Sequence, residues 1–261
     1  AISGAEVVIL VVPSAFLDVT LQACSPEDFA GKFVFSAIKG MVPGENVTPC
    51  NFMMKRFGVP AEFLGLVTGP SHAEEVAMER LTFLTVLSPD AEMAASFASR
   101  IACRYIRVSS NSDLFGAEYA TAMKNIMAIA AGMCHGLGYG DNYIAVLVSN
   151  AIREIRLLLD GVHAHHRDVL EYAYLGDLLV TCYSQFSRNR TFGAMIGKGY
   201  TVKSAQLEMN MVAEGYYAVK SIMEINKELN LDLPITQAVY LVLYEKYSAA
   251  VEMKLLTDKL K

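Results

Sequence analysis

Lys124 is the one cation in residues 118–132 (Glu-Tyr-Ala-Thr-Ala-Met-Lys-Asn-Ile-Met-Ala-Ile-Ala-Ala-Gly). Small residues flank it, so a helix here packs closely and is largely buried. A buried ammonium is costly unless paired, and desolvation lowers its pKa from about 10.4 toward the range useful for proton transfer. The alternative is a lysine that snorkels to solvent from the helix edge. A partner of the right sign stands downstream, where Asp177 lies in the apolar run 175–182 and is followed by Ser187-Arg188-Asn189-Arg190. Arg188 and Asn189 could hold a phosphate, since the guanidinium fork matches its oxygens and the amide adds a donor. Equally, Ser187 could cap a helix and leave both arginines in solvent.

Four smaller groups add to these. Ser36-Ala37-Ile38-Lys39-Gly40 puts a lysine directly after a strand, at the carboxyl edge where α/β sheets bind ligands. Gly69-Pro70-Ser71-His72-Ala73-Glu74 follows another strand. Ser71 and Glu74 there have capping-box spacing, while the same helix start could accept an anion. Gly136, Gly138 and Gly140 alternate ahead of Asp141 and Asn142, a turn that other residues would strain and that either polar residue could use to cap the next helix. His163, His165, His166 and Asp168 invite a metal reading. They have no helical i, i+4 register and no nearby cysteine, so no metal site is expected.

The elements that must position these residues fall into two textures. Up to residue 110, short apolar runs (7–12, 33–37, 63–68, 82–87 and 105–108) alternate with amphipathic stretches (52–57, 73–78 and 91–102). That alternation indicates an α/β sheet covered on both faces. From residue 114 strand signals stop. Ile144, Leu147, Val148, Ala151, Ile152, Ile155, Leu158 and Leu159 form a helical stripe, and further helices are read over 188–196, 214–229 and from 235 toward the C-terminus. The boundary is placed in the polar run 109–113, giving domains of 1–110 and 111–261. The expected fold class is therefore α/β plus all-α.

Composition narrows the function. With 53% hydrophobic residues, 19% charged and a net charge of −5, the chain is neither a disordered polymer nor a basic nucleic-acid binder. Mean hydropathy is +0.32, yet no apolar run approaches the roughly 20 residues of a spanning helix. Five scattered cysteines without a CxxC pair suit thiols kept reduced. The first residues carry no signal-peptide pattern. They run almost at once into a core strand, so further sequence is expected upstream.

Order and spacing together resemble the NAD(P)-dependent glycerol-3-phosphate dehydrogenase family. The resemblance rests on Val12-Pro13-Ser14, Lys39-Gly40, residues 69–77 (Gly-Pro-Ser-His-Ala-Glu-Glu-Val-Ala), Ala122-Met123-Lys124-Asn125 and the loop 138–142. It continues through Gly176-Asp177-Leu178, residues 187–190 and Ala213-Glu214-Gly215. It implies a Rossmann-type N-terminal domain, a helical C-terminal domain and hydride exchange between nicotinamide and C2 of glycerol 3-phosphate, giving dihydroxyacetone phosphate. By the same resemblance, Lys124 accepts the hydroxyl proton and Lys39 is a second lysine at substrate and nicotinamide. Asp177, Thr181 and Asn125 complete the catalytic set. Gly69, Ser71, Ser187, Arg188 and Asn189 match substrate positions, and Ala73, Arg188, Val212 and Glu214 match cofactor positions. NAD or NADP, a cytoplasmic location and a homodimer are further implications.

The family's glycine-rich turn and first strands do not occur in this sequence. They correspond to on the order of 70 residues before Val7, judged from two βα units. The Rossmann part is thus expected to be incomplete here, with NAD-versus-NADP preference unreadable. Two alternatives stand beside this reading. One is another two-domain dehydrogenase acting on a hydroxy acid or polyol. The other is a truncated, non-catalytic chain.

Overall fold

The computed structural model describes residues 2–209 and 211–261. A five-stranded sheet, β1 (Val7–Leu10), β2 (Phe33–Ser36), β3 (Leu64–Thr68), β4 (Thr82–Leu87) and β5 (Ile106–Asn111), runs in sequence order. The pairs β1–β2, β2–β3 and β4–β5 are parallel, whereas β3–β4 is antiparallel, with Leu66 opposite Leu87. Simple alternation of strands and helices would make every pair parallel. The reversal falls at the connection over 69–81, whose helix (Ala73–Ala77) is only five residues long.

Between the strands lie α1 (Leu17–Thr20), α2 (Pro49–Phe57), α3 (Ala73–Ala77) and α4 (Ala91–Ile101). Thr48 caps α2, Pro49 opens it, and Gly58 closes it at φ 65°. Asp90 caps α4 through the Met93 N–H at 3.0 Å. On one face of the sheet α4 buries Phe97 flat against Phe35, ring centroids 4.0 Å apart, together with Val86, Ala94 and Ala98. The other face shares one continuous core with the helices that follow.

Those helices are α5 (Leu114–Gly136), α6 (Asp141–Val162), α7 (Asp177–Tyr183), α8 (Arg188–Gly197), α9 (Val202–Glu208), α10 (Glu214–Leu229), α11 (Pro234–Leu243) and α12 (Ala249–Thr257). The N-terminal part is Rossmann-like and a helical domain follows it. Helix α5 is the axis of that domain. It is apolar nearly all round, so neighbours cover it on every side. Its closest partner is α8, where Gly193 faces the Ile129 carbonyl and Gly132 faces the Arg190 carbonyl. A Cβ on either glycine would come within 2.1 Å of that oxygen.

Several readings from the sequence need correction. The polar run 109–113 begins inside β5, which continues past the apolar run 105–108 through Asn111. Its backbone pairs with β4 to the end, and its side chains reach Tyr172 and Glu171 instead of a core. The C-terminal helix is two helices, broken where Lys246 adopts φ 61°. Helices α1, α7 and α9 were too short for a periodic signal. Gly140 itself stands at the N-cap of α6 without a side-chain cap from Asp141 or Asn142, and among these three glycines only Gly138, at φ 87°, needs the left-handed region.

Candidate active site

The chemistry gathers where β2 and β3 end against α5 and α7. Lys124 lies midway along α5 with 5% of its surface exposed, and its Nζ is 2.5 Å from Asp177 Oδ1. Snorkelling is thereby excluded. Asp177, the first residue of α7, is itself buried. Its Oδ2 accepts from Thr68 Oγ1 at 3.1 Å and from Lys39 Nζ at 3.4 Å. Lys39 Nζ also donates to the Gly69 carbonyl at 3.0 Å, and its side chain keeps 25% exposure. Two lysine amines thus share one carboxylate.

The titration behaviour follows from that geometry. Burial, joined by the Lys39 charge, brings Lys124 down from the usual lysine range to about 7, with Asp177 pulling the other way. Burial alone would push the Asp177 carboxyl up, but Lys124, Lys39 and the Thr68 hydroxyl hold it below the ordinary carboxylate range. At neutral pH the site therefore holds a fixed anion beside an amine that exchanges its proton readily.

Adjacent residues fix these positions. Asn125 Nδ2 donates to the Lys39 carbonyl at 2.6 Å, so it acts on Lys39 through the backbone. Thr181 Oγ1 donates to the Asp177 carbonyl at 2.5 Å, one turn earlier in α7. Gly69 has φ 125°, and a Cβ there would meet the Phe83 carbonyl at 2.6 Å. Ser71 donates back to the Gly69 carbonyl at 3.1 Å. The Ser71–Glu74 capping box does not form, because His72 occupies the N-cap and no side chain caps it. Ala73 opens α3, which is only five residues long.

A second group adjoins the first. Ser187 caps α8 through the Arg190 N–H at 3.3 Å. Arg188 is exposed and reaches the Val212 carbonyl at 3.4 Å. Asn189 is buried, and its Oδ1 accepts from the Gly215 N–H at 2.9 Å, which leaves its amide donors for another partner. Glu214 accepts from the Ser14 N–H at 2.9 Å and from the Ser14 hydroxyl, tying the segment after β1 to the start of α10. Burial pushes the Glu214 carboxyl up, opposed by the Ser14 donors and by Arg188. Gly40, next to Lys39, lies against the Glu214 carboxylate, and Gly215 lies against the Asn125 carbonyl, so the two groups form one wall. A cavity of about 470 Å³ lined by Phe16, Phe192, Val212, Ala213 and Tyr216 opens beside Val212. A larger cavity, about 920 Å³, lies among α8, α9, α11 and α12 and shares no residue with the lysine cluster.

Two participants were not singled out from the sequence. Thr68 is the last residue of β3, the position from which an α/β sheet presents side chains to a ligand, and that signal was available. Ser14 entered only as part of Val12-Pro13-Ser14 without a role, which depends on a contact 200 residues away. The histidines behave differently from the grouping in sequence. His163 and His165 approach Asp113, while Asp168 turns back to the Leu170 N–H at 2.9 Å. Asp113 is already engaged by Arg167 at 2.7 Å and Tyr174 at 2.8 Å.

A buried lysine–carboxylate pair at the carboxyl edge of a Rossmann-like sheet, covered by a helical domain, is the arrangement of a two-domain nicotinamide-dependent dehydrogenase. Residues 1–94 match the family model for the NAD-dependent glycerol-3-phosphate dehydrogenase N-terminus, and residues 113–254 match that for its C-terminus. The glycerol-3-phosphate dehydrogenase [NAD(P)+] of Nitrosomonas eutropha is 36% identical over 259 residues, covering 99% of this chain and 78% of the relative. The Staphylococcus carnosus enzyme of the same name is 41% identical over 196 residues, covering 75% of this chain and 59% of that protein. The crystal structure of the Coxiella burnetii glycerol-3-phosphate dehydrogenase superposes with a TM-score of 0.91 at 27% identity, covering 98% of this chain and 78% of that one. The chain belongs to the NAD-dependent glycerol-3-phosphate dehydrogenase family.

Proposed function

We propose that this protein interconverts sn-glycerol 3-phosphate and dihydroxyacetone phosphate with NAD or NADP, and that Lys124 accepts and returns the proton on the C2 oxygen. The observation carrying this reading is the buried Lys124–Asp177 pair with Lys39 alongside. Removing hydride from C2 requires the hydroxyl proton to leave and the developing negative charge to be stabilised. Lys124, near its titration point at neutral pH, serves the first need. Lys39 adds positive field for the second, while Asp177 and Asn125 hold the two amines in register. Arg188 and the free amide donors of Asn189 take the phosphate, which fixes C2 relative to Lys124. Ser187, Gly69 and Ser71 line the same substrate space.

The residues present fit the nicotinamide end of the cofactor. The exposed Arg188 fork and the cavity beside Val212, with Phe16 and Phe192 in its wall, suit a flat ring with a charged neighbour. Ala73, Lys39 and Glu214 complete that contact set, Glu214 through the segment it holds at Ser14. When bound, nicotinamide supplies the hydride-exchanging carbon. The Rossmann-like part over 1–110 and the helical part over 111–261 are proposed as the cofactor and catalytic domains of a cytoplasmic homodimer. Among the described residues no helix is long and apolar enough to cross a membrane.

Substituting Lys124→Ala and assaying dihydroxyacetone phosphate reduction tests the assignment. A kcat loss of roughly 10²–10⁴-fold in a chain that still folds is expected, and a near-wild-type rate removes Lys124 from the chemistry. Wild-type turnover of unphosphorylated dihydroxyacetone as fast as of its phosphate would favour a polyol dehydrogenase instead.

A further inference from the structure

We propose that Asp113 and Tyr174 are positioning residues for the reaction, a buried tie that sets the start of α7 so that Asp177 meets Lys124. The inference rests on the function proposed above and extends it to how its lysine–carboxylate pair is held. Lys124 and Asp177 belong to different helices, and the segment leading into Asp177 is a π-turn, Tyr172–Gly176. Such turns are rare and recur at functional sites. The Asp177 N–H donates to the Tyr172 and Tyr174 carbonyls, so the carboxylate moves with the turn.

Three hydrogen bonds tie this turn and its approach to the end of β5 and the start of α5. Asn111 Nδ2 donates to Glu171 at 3.1 Å and the Tyr172 hydroxyl to Ser109 at 2.5 Å, both in exposed positions. The third is sealed. The Tyr174 hydroxyl donates to Asp113 Oδ2 at 2.8 Å, and both residues are buried. An exposed bond exchanges readily with water, whereas cutting a buried one leaves a polar atom that nothing else satisfies. Asp113 is itself fixed. It caps α5 by accepting from the Gly116 N–H at 3.2 Å, and the Arg167 guanidinium reaches both its oxygens, at 2.7 and 3.3 Å. A Cβ on Gly116 would run into that carboxylate and guanidinium. Arg167 also donates to the His163 carbonyl at the end of α6. The end of α6, the start of α5 and the π-turn therefore meet at one carboxylate. Asp113 stands roughly 16 Å along α5 from Lys124, at 1.5 Å per residue, and its charge is matched by Arg167. What the tie supplies is the separation of two helices, not a charge at the site.

The test is the pH dependence of kcat/KM for glycerol 3-phosphate oxidation, which rises as Lys124 loses its proton near pH 7. The charges facing Lys124 are Asp177 from α7 and Lys39 from the segment after β2. Tyr174→Phe alters neither and removes no charge, because burial and Asp113 push the tyrosine hydroxyl above its ordinary range and keep it protonated. A merely structural loss would lower the melting temperature and leave the limb in place. With the tie cut, Asp177 stands farther from Lys124, and the limb should fall by about 0.5–1 pH unit, less than the full loss of an opposite charge. Asp113→Asn, which keeps a cap on α5 while withdrawing an acceptor, should shift it the same way and serves should the Phe variant fail to fold. On an Asp177→Asn background Tyr174→Phe should add no further shift, since no carboxylate charge is left to place. A limb that stays put, or a shift that persists without the Asp177 charge, overturns the inference. Failure of the wild-type chain to turn over glycerol 3-phosphate at all would instead overturn the function on which it rests.

Discussion

Replacing Asp177 by Asn changes a charge at the centre of the site while keeping its shape, and the pH profile is where the consequence shows. Asp177 is the group that raises the Lys124 pKa, whereas burial and Lys39 lower it to about 7. An opposite charge in direct contact is worth about 1–3 pH units, or roughly 1.4–4 kcal/mol of preference for the ammonium. For glycerol 3-phosphate oxidation Lys124 must be neutral, so kcat/KM should rise with pH through a limb near 7. In Asp177→Asn that limb should fall to roughly 4–6, by the same 1–3 pH units. The dependence for dihydroxyacetone phosphate reduction, which needs the ammonium, should shift by the same amount, because one group governs both directions. At any fixed pH the two directions must lose kcat/KM by a common factor, since no substitution alters the equilibrium constant. Lys39→Met provides the opposite sign. Removing a like charge should move the limb above 7. Kinetics from pH 5 to 9 with melting curves as controls decide the matter, because kcat/KM reports the free enzyme. A limb that stays put in both variants, or moves the same way in both, refutes the electrostatic account of Lys124.

Three further outcomes follow from the geometry. Arg188→Ala should raise KM for phosphorylated substrate by roughly 10- to 150-fold, the equivalent of a charge-assisted hydrogen bond, and steady-state kinetics showing an unchanged KM would dismiss the phosphate grip. Glu154 accepts from the Ile235 and Thr236 N–H groups at 2.8 Å each, and burial raises its carboxyl to about 7. A folded pKa above the unfolded one gives stability that is complete below pH 4.5 and lost as pH rises through about 7, on the order of 3 kcal/mol. Urea titrations at pH 5 and 8 should show that decline in the wild type and a flatter response in Glu154→Gln. Glu154→Ala should cost roughly 1–3 kcal/mol per abandoned donor at either pH. Gly193→Ala drives a Cβ into the Ile129 carbonyl and should destabilise by about 1–3 kcal/mol or more. Gly140→Ala, with open space around it at the N-cap of α6, should cost at most about 1 kcal/mol. Equal melting temperatures for those two variants would count against the α5–α8 contact.

What the sequence disclosed was local. Strand β4 and helix α10 have the extents read from hydrophobic runs and periodicity, because within an element each residue's neighbours are its sequence neighbours. Lys124 stood out because a charge in a small-residue helix conflicts with its surroundings. The pairing of polar groups was not legible. Ser71 and Glu74 have the spacing of a reciprocal cap, yet His72 takes the cap position and Ser71 turns to Gly69. Asn189 reads as a ligand-facing amide, but half of it is committed to Gly215. Glu214 reads as a cofactor contact and spends both oxygens on Ser14. The partner is two residues back for Ser71, on another helix for Asn189 and across the seam between sheet and helices for Glu214, and one-dimensional spacing does not say which of these a polar side chain will take.

The site's precision then comes down to how α5 is held. A lysine side chain has four rotatable carbons and cannot by itself keep an amine at a fixed point. Lys124 is kept there because its helix cannot slide. Gly132 and Gly193 let α5 and α8 touch backbone to backbone, so a small axial shift would bring atoms into overlap. The next residue along α5, Asn125, uses that fixed frame twice. Its amide holds the Lys39 carbonyl, and its own carbonyl lies against Gly215 at the start of α10. Lys124, Lys39 and the Glu214–Ser14 tie are thus referred to two adjacent residues of one rigid helix. A movement of α5 by a single residue, about 1.5 Å, would break the Asp177 contact, the Lys39 hydrogen bond and the Gly215 contact together. Rate acceleration by pre-placed charge requires that kind of stiffness, since a donor that must reorganise during the reaction gives back most of what it contributes.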